Sequence, residues 1–112
     1  MAIVSNKADF AVKELADIYF KGSIPVAIGE NEEAGIRKKP APDTVFKSME
    51  LLGSNADESV YVGDSEVDVK TAANSGLDLV LCSWGFREET FLRSLGSDII
   101  IHKPLELLDY IL

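Results

Sequence analysis

Short apolar runs alternate along the chain with stretches in which apolar residues recur at near-helical spacing. Ile3-Val4 reads as a strand that ends in the polar pair Ser5-Asn6. Asp9 is placed to cap the next helix, whose Phe10, Leu15, Ile18 and Tyr19 recur until Gly22 stops it. Residues 25–29 read as a second strand, and a polar loop runs from Glu30 to Lys39. Pro42 and Asp43 mark a helix start, because proline fits the first helical turn and an acid complements the dipole there. Val45, Phe46, Met49 and Leu52 give that helix its apolar face, and Gly53 ends it. Beyond it the pattern predicts strands over 59–62, 78–82 and 98–101, and helices over 66–74, 87–95 and 105–112. Strand and helix alternate with short connections, which specifies an α/β fold with a parallel sheet covered by helices.

Composition narrows the picture. A chain of 112 residues, 46% of them hydrophobic, is one domain able to bury a core. No apolar run approaches the roughly 20 residues of a membrane helix, and the first residues carry no long apolar stretch of a signal peptide. One cysteine, Cys82, cannot form an intrachain disulfide, which fits a reducing cytoplasm. The formal charge of −8 is dispersed, which argues against unspecific nucleic-acid binding. It also means that a site for an anionic substrate needs local positive charge from a metal or a lysine.

In such sheets ligands bind beyond the carboxyl ends of the strands. Three elements there carry chemistry. In Gly63-Asp64-Ser65-Glu66-Val67-Asp68 the first aspartate follows an apolar strand directly and the second stands one helical turn on. Two carboxylates so placed suit Mg²⁺, and they equally suit a capped helix start with a solvated acid in its first turn. In Lys38-Lys39-Pro40 the proline pushes Lys39 into extended backbone, from which an ammonium can hold a phosphoryl group; a solvated loop lysine is the plainer reading. Ser5 and Asn6 offer a hydroxyl and backbone N–H groups to phosphate oxygens, or form an ordinary polar turn. The lone histidine, His102, reads as a loop or core residue with no catalytic role.

In this order the three elements resemble the haloacid dehalogenase superfamily, in its phosphoglycolate phosphatase-like branch. Residues 3–7, 39–43, 60–68 and 72–76 carry the match, and Ser83-Trp84-Gly85-Phe86 is similar to that branch's loop after the following strand. The resemblance implies a Rossmann-like parallel sheet with helices on both faces and a magnesium-dependent hydrolysis of a small phosphomonoester through an aspartyl-phosphate. It implies that Ser5 binds the transferring phosphoryl group with Asn6 beside it, and that Lys39 neutralises that group and the nucleophile. Asp64 becomes the magnesium ligand, and Asp68 supports the metal through water. The ligand is a small phosphorylated metabolite, with neither nucleic acid nor membrane as a partner.

One departure stands out. The family opens with an Asp-x-Asp strand whose first aspartate is phosphorylated, and no Asp-x-Asp follows an apolar strand in this sequence. The resemblance therefore predicts a single partial core domain over 1–112, a truncated relative without the first central strand and the helical cap. The absent strand predicts a gap with unpaired backbone groups or a rearranged sheet. It also predicts a dimer, a partner strand that completes the sheet, or instability. The alternative function is a non-catalytic subunit that completes its site with a partner chain.

Overall fold

The computed structural model describes residues 1–85, 87–96 and 99–111. Its elements are β1 (Ala2–Ala8), α1 (Asp9–Phe20), β2 (Val26–Glu30), α2 (Asp43–Leu52), β3 (Val60–Gly63), α3 (Glu66–Ser75), β4 (Asp78–Cys82), α4 (Glu89–Ser94), β5 (Ile100–Ile101) and α5 (Leu108–Ile111). Single 3₁₀ turns cover Glu32–Ala34, Ala56–Glu58 and Pro104–Leu107. The last expected helix is thus a 3₁₀ turn running into a short α-helix. Asp98 and Leu112, at the ends of two expected elements, lie outside the described residues, as does Phe86.

Among the described residues the named strands pair in parallel, in two separate ladders: β1 with β2, and β3-β4-β5; an isolated antiparallel bridge joins Asn31 to Ile36. Among the described residues no ladder joins β1 to β3, so each keeps one edge unpaired. This is the gap expected from the sequence. The two ladders belong to one layer nonetheless. Val4 of β1 packs into the cluster formed by Val45 of α2, Tyr61 of β3 and Ala72 of α3, so α2 and α3 close one face across the break. Side chains alternate along a strand, and the opposite face carries Val60, Val80, Cys82 and Ile101, covered by Leu107. Helices therefore lie on both faces, as an α/β core requires.

Two local expectations need correction. Asp9 does not cap α1: the cap position is Ala8, without a side-chain hydrogen bond. The Asp9 carboxylate instead accepts the Gly29 N–H (3.0 Å) and pairs with the Lys13 ammonium (2.6 Å), fastening α1 to the end of β2. The buried residue of α1 is Val12, whereas Phe10 (76%), Ile18 (64%) and Tyr19 (71%) are exposed. Leu15, Ala16, Tyr19 and Phe20 instead border an open groove of about 290 Å³ against Ile3 and Val12. The helical period was right, but among the described residues α1 packs mainly on β1 and β2, so its wide apolar stripe is covered along one margin. On α2 the same holds in milder form: Val45 is buried and Met49 packs on it, while Phe46 and Leu52 are exposed.

Candidate functional site

The carboxyl ends of β1 and β3 meet at the loop over 37–43. That loop is closed on itself by Arg37, whose guanidinium donates to both carboxylate oxygens of Asp43 (2.8 and 2.9 Å) while its backbone N–H donates to one of them (2.9 Å). The Arg37 guanidinium holds the Asp43 carboxyl down at about 2. Asp43 opens α2, so the arrangement also places an anion at that helix N-terminus.

Lys39 sits at the apex, before a cis peptide bond to Pro40. Its backbone N–H donates to Asn6 Oδ1 (2.6 Å), and Asn6 Nδ2 approaches its carbonyl (3.5 Å). From the other side, Asn74 of α3 donates to the Pro40 carbonyl (2.8 Å). The loop is thus tied to β1 by one asparagine and to α3 by another. Its ammonium then turns inward to Asp68 Oδ1 at 2.9 Å, with the Lys39 side chain 15% exposed.

Asp68 is buried and receives four donors. Lys39 Nζ and the Tyr61 hydroxyl (2.8 Å) reach Oδ1; the Asp64 backbone N–H (2.8 Å) and the Ser65 hydroxyl (3.3 Å) reach Oδ2. Burial alone would raise its pKa, but the Asp64 N–H, the Lys39 ammonium and the Tyr61 hydroxyl together hold it below the ordinary value. The same burial and the Asp68 charge push the Tyr61 phenol up, so it stays a donor. Gly63 is required beneath this carboxylate, since a Cβ there would stand 2.5 Å from Asp68 Oδ2. The plainer reading of this stretch needs correction: Ser65 stands at the cap of α3 but makes no capping hydrogen bond, and Asp68 is buried, not solvated, because Lys39, Tyr61 and the turn at Asp64 close over it.

Asp64 follows β3 at its carboxyl end, half-buried, with the loop after β4 laid against it. Cys82 ends β4 nearby; burial, and then the charges of Asp64 and Asp68, raise its thiol, keeping it protonated. Ser5 is placed less centrally. Its hydroxyl accepts the Lys7 N–H (3.2 Å) and its side chain borders the α1 groove, whereas Asn6 makes the contact to Lys39. His102 lies on the surface, half-exposed, beside Glu89 and Glu106. The site residue that sequence reasoning missed is Tyr61. It stood in the apolar run Val60-Tyr61-Val62, and its hydroxyl, which needs a partner when buried, was the available signal.

The family model for haloacid dehalogenase-like hydrolases matches residues 1–82. The chain belongs to that family. It is 30% identical over 108 residues to the phosphoglycolate phosphatase of Aquifex aeolicus, covering 96% of this chain and 48% of that protein. It is 29% identical over 116 residues to the pyrophosphatase PpaX of Halalkalibacterium halodurans, covering 99% of this chain and 51% of that protein. A solved structure of a candidate phosphoglycolate phosphatase from Lactobacillus delbrueckii subsp. bulgaricus superposes with a TM-score of 0.93 at 43% identity, over 99% of this chain and 46% of that one. The chain thus spans about half the length of these haloacid dehalogenase-like relatives, and the phosphoglycolate phosphatase-like branch named from the sequence is the right one.

Two predictions follow from the geometry of this hydrolase-family site. Asp68→Ala leaves a largely buried ammonium without its partner and is expected to cost about 3–5 kcal/mol in urea unfolding. Asp68→Asn, which keeps the shape and part of the hydrogen bonding, should cost less; equal losses would show that charge is not what matters there. Asp43 has its folded pKa depressed from 3.8 to about 2, so its stabilisation is full above its unfolded value and is lost as pH falls through about 2. Because Arg37 is exposed, Asp43→Asn should lower stability at neutral pH by only ~0.2–1 kcal/mol. It should also flatten the decline between pH 4 and 2, read as urea midpoints along a pH series.

Proposed function

We propose that this chain carries the phosphoryl-neutralising and metal-holding part of a magnesium-dependent phosphatase for small phosphomonoesters such as phosphoglycolate. The observation that supports this most is the convergence of Asn6, Lys39, Asp64 and Asp68 at one sheet end from three separate stretches of sequence. In this reading Lys39 offers its ammonium to the transferring phosphoryl group from a backbone held by Asn6. Ser5 and the N–H groups beside it in the last part of β1 bind phosphoryl oxygens. Asp68 holds Lys39 in place. The relatives include a phosphoglycolate phosphatase and a pyrophosphatase, and both reactions transfer a phosphoryl group to water.

Magnesium fits the donor chemistry, because it takes only one or two protein carboxylates and keeps several waters. Asp64 is the carboxylate placed for direct contact. Asp68, whose oxygens already receive four donors, would act on the ion indirectly, by fixing Lys39 and the Asp64 backbone. When bound, the ion would supply positive charge against the phosphoryl oxygens. The sequence holds no Asp-x-Asp after an apolar strand, and loss of a covalent nucleophile typically costs on the order of 10⁶ in turnover.

The unpaired edges of β1 and β3 and the exposed apolar side of α1 favour a second element of the same reading. A further strand, from another copy or another chain, completes the sheet and brings the nucleophile. If that partner brings none, the assembly is the non-catalytic alternative. The purified chain is expected to show no hydrolysis of an aryl phosphate above an Asp64→Asn control, with or without Mg²⁺. Magnesium-dependent turnover abolished by Asp64→Asn would mean the chain holds its own nucleophile, against this reading. A supplied peptide with an apolar strand ending in Asp-x-Asp should restore turnover; its failure to do so would favour the non-catalytic subunit. Light scattering should find a dimer or larger species, and a stable monodisperse monomer would count against completion by a second copy.

A further inference from the structure

The loop after β4 touches the site at two points that the phosphatase reading does not use. Gly85 lies so close to Asp64 that a Cβ there would overlap Asp64 Cβ and Oδ2 and stand 2.8 Å from its Cγ. The Cβ of Asp64 is fixed by its backbone, so rotating the carboxylate away cannot relieve this overlap. Gly85 is not among the glycines with positive φ, which are Gly22, Gly35, Gly53, Gly76 and Gly96. Its missing side chain therefore serves space and not backbone conformation. Two residues further, Arg87 grips Glu66 in a two-pronged pair (Nε–Oε2 2.9 Å, Nη2–Oε1 2.6 Å) and lays its guanidinium over the Phe91 ring at 5.5 Å. Glu66 is the first residue of α3, two positions after Asp64. One short loop is thus pressed on the Asp64 side chain and fastened to the turn that carries it.

We propose that Gly85 and the Arg87–Glu66 pair are positioning residues that hold the Asp64 carboxylate in one orientation for a divalent cation. This rests on the reading of Asp64 as a metal ligand. A planar fork such as Arg87–Glu66 fixes direction as well as distance. The backbone at Gly85 then acts as a wall behind the carboxylate. Residues that orient a ligand without touching the metal typically change metal affinity about 10–100-fold when altered.

The test uses the whole chain and Mn²⁺ as the probe, with free Mn²⁺ followed by electron paramagnetic resonance and Mg²⁺ as competitor. Gly85→Ala is expected to weaken Mn²⁺ binding about 10–100-fold, and Arg87→Gln to weaken it in the same direction while adding no atom to the site. Binding by both variants equal to wild type would overturn the inference and leave the metal reading standing. Absence of Mn²⁺ binding by the wild-type chain would overturn both. Urea unfolding separates contact from general damage. Gly85→Ala should shift the midpoint in the wild-type background and not beside Asp64→Gly, where the overlapping atoms are gone. An equal shift in both backgrounds would show that Gly85 acts elsewhere than on Asp64. Should Gly85→Ala fail to fold, recovery of folding in the double variant supports the contact, and failure there too overturns it.

Discussion

The ion pair between Lys39 and Asp68 holds this molecule's two half-sheets in a defined relation. Among the described residues no ladder of backbone hydrogen bonds crosses from β1 to β3, so the usual constraint on strand order and spacing is missing there. What spans the break is the contact of Val4 with the Val45–Tyr61–Ala72 cluster and, at the carboxyl ends, the loop that carries Lys39. Apolar contact is non-directional, so it sets proximity but not register. The charged pair, with Asn6 on one side and Asn74 on the other, sets direction. A buried pair is weak evidence for stability, since desolvation offsets much of the attraction. Its role here is selection of one arrangement, and the four donors on Asp68 remove the orphan lone pairs that would otherwise make the burial costly.

The same economy shapes the chemistry. A chain with a net charge of −8 has to gather positive potential locally to receive an anion. The Lys39 ammonium at this sheet end is matched by the Asp68 carboxylate at 2.9 Å. Asp68 is committed to a lysine, a phenol, a serine hydroxyl and a backbone N–H, while Asp64 stands half-buried at the end of β3. Tyr61 matters because it donates without bringing charge. A lysine or arginine at that place would compete with Lys39 for the carboxylate and weaken its hold on the loop.

The sequence disclosed the α/β order, the start of α2 at Asp43 and its end at Gly53, and the extent of β4, because these depend on local signals: proline, glycine, an acid and an apolar run. Spacing also placed Asp64 and Asp68 on one turn. It did not disclose that Asp68 faces Lys39, because that contact joins residues 29 positions apart through a loop whose path only tertiary packing decides. The misjudged cap at Asp9 has the same origin, since an acid at a helix start caps it only when no better donor is within reach. Here the Gly29 N–H and the Lys13 ammonium are both within reach. Gly85 was visible as a member of a motif, yet the reason for a glycine lies in the neighbouring Asp64 and not in its own backbone.

The two faces of the sheet differ in a way that bears on how the site is held. The face of Val4, Tyr61 and Ala72 is closed by α2 and α3, and it is α3 that delivers Asp68 and Asn74 to the loop. The face of Ile3, Ser5 and Lys7 opens into the groove beside α1. Anchoring of Lys39 therefore depends on the closed side, and the exposure of Phe10, Ile18 and Tyr19 leaves it untouched. Ser5 belongs to the open side and so has the fewest constraints among the site residues. Among the described residues its hydroxyl accepts the Lys7 N–H, two residues on in β1. Whatever covers the groove would act on Ser5 first and on Lys39 only through Asn6, so the placement of Ser5 and that of Lys39 are separable properties of this fold.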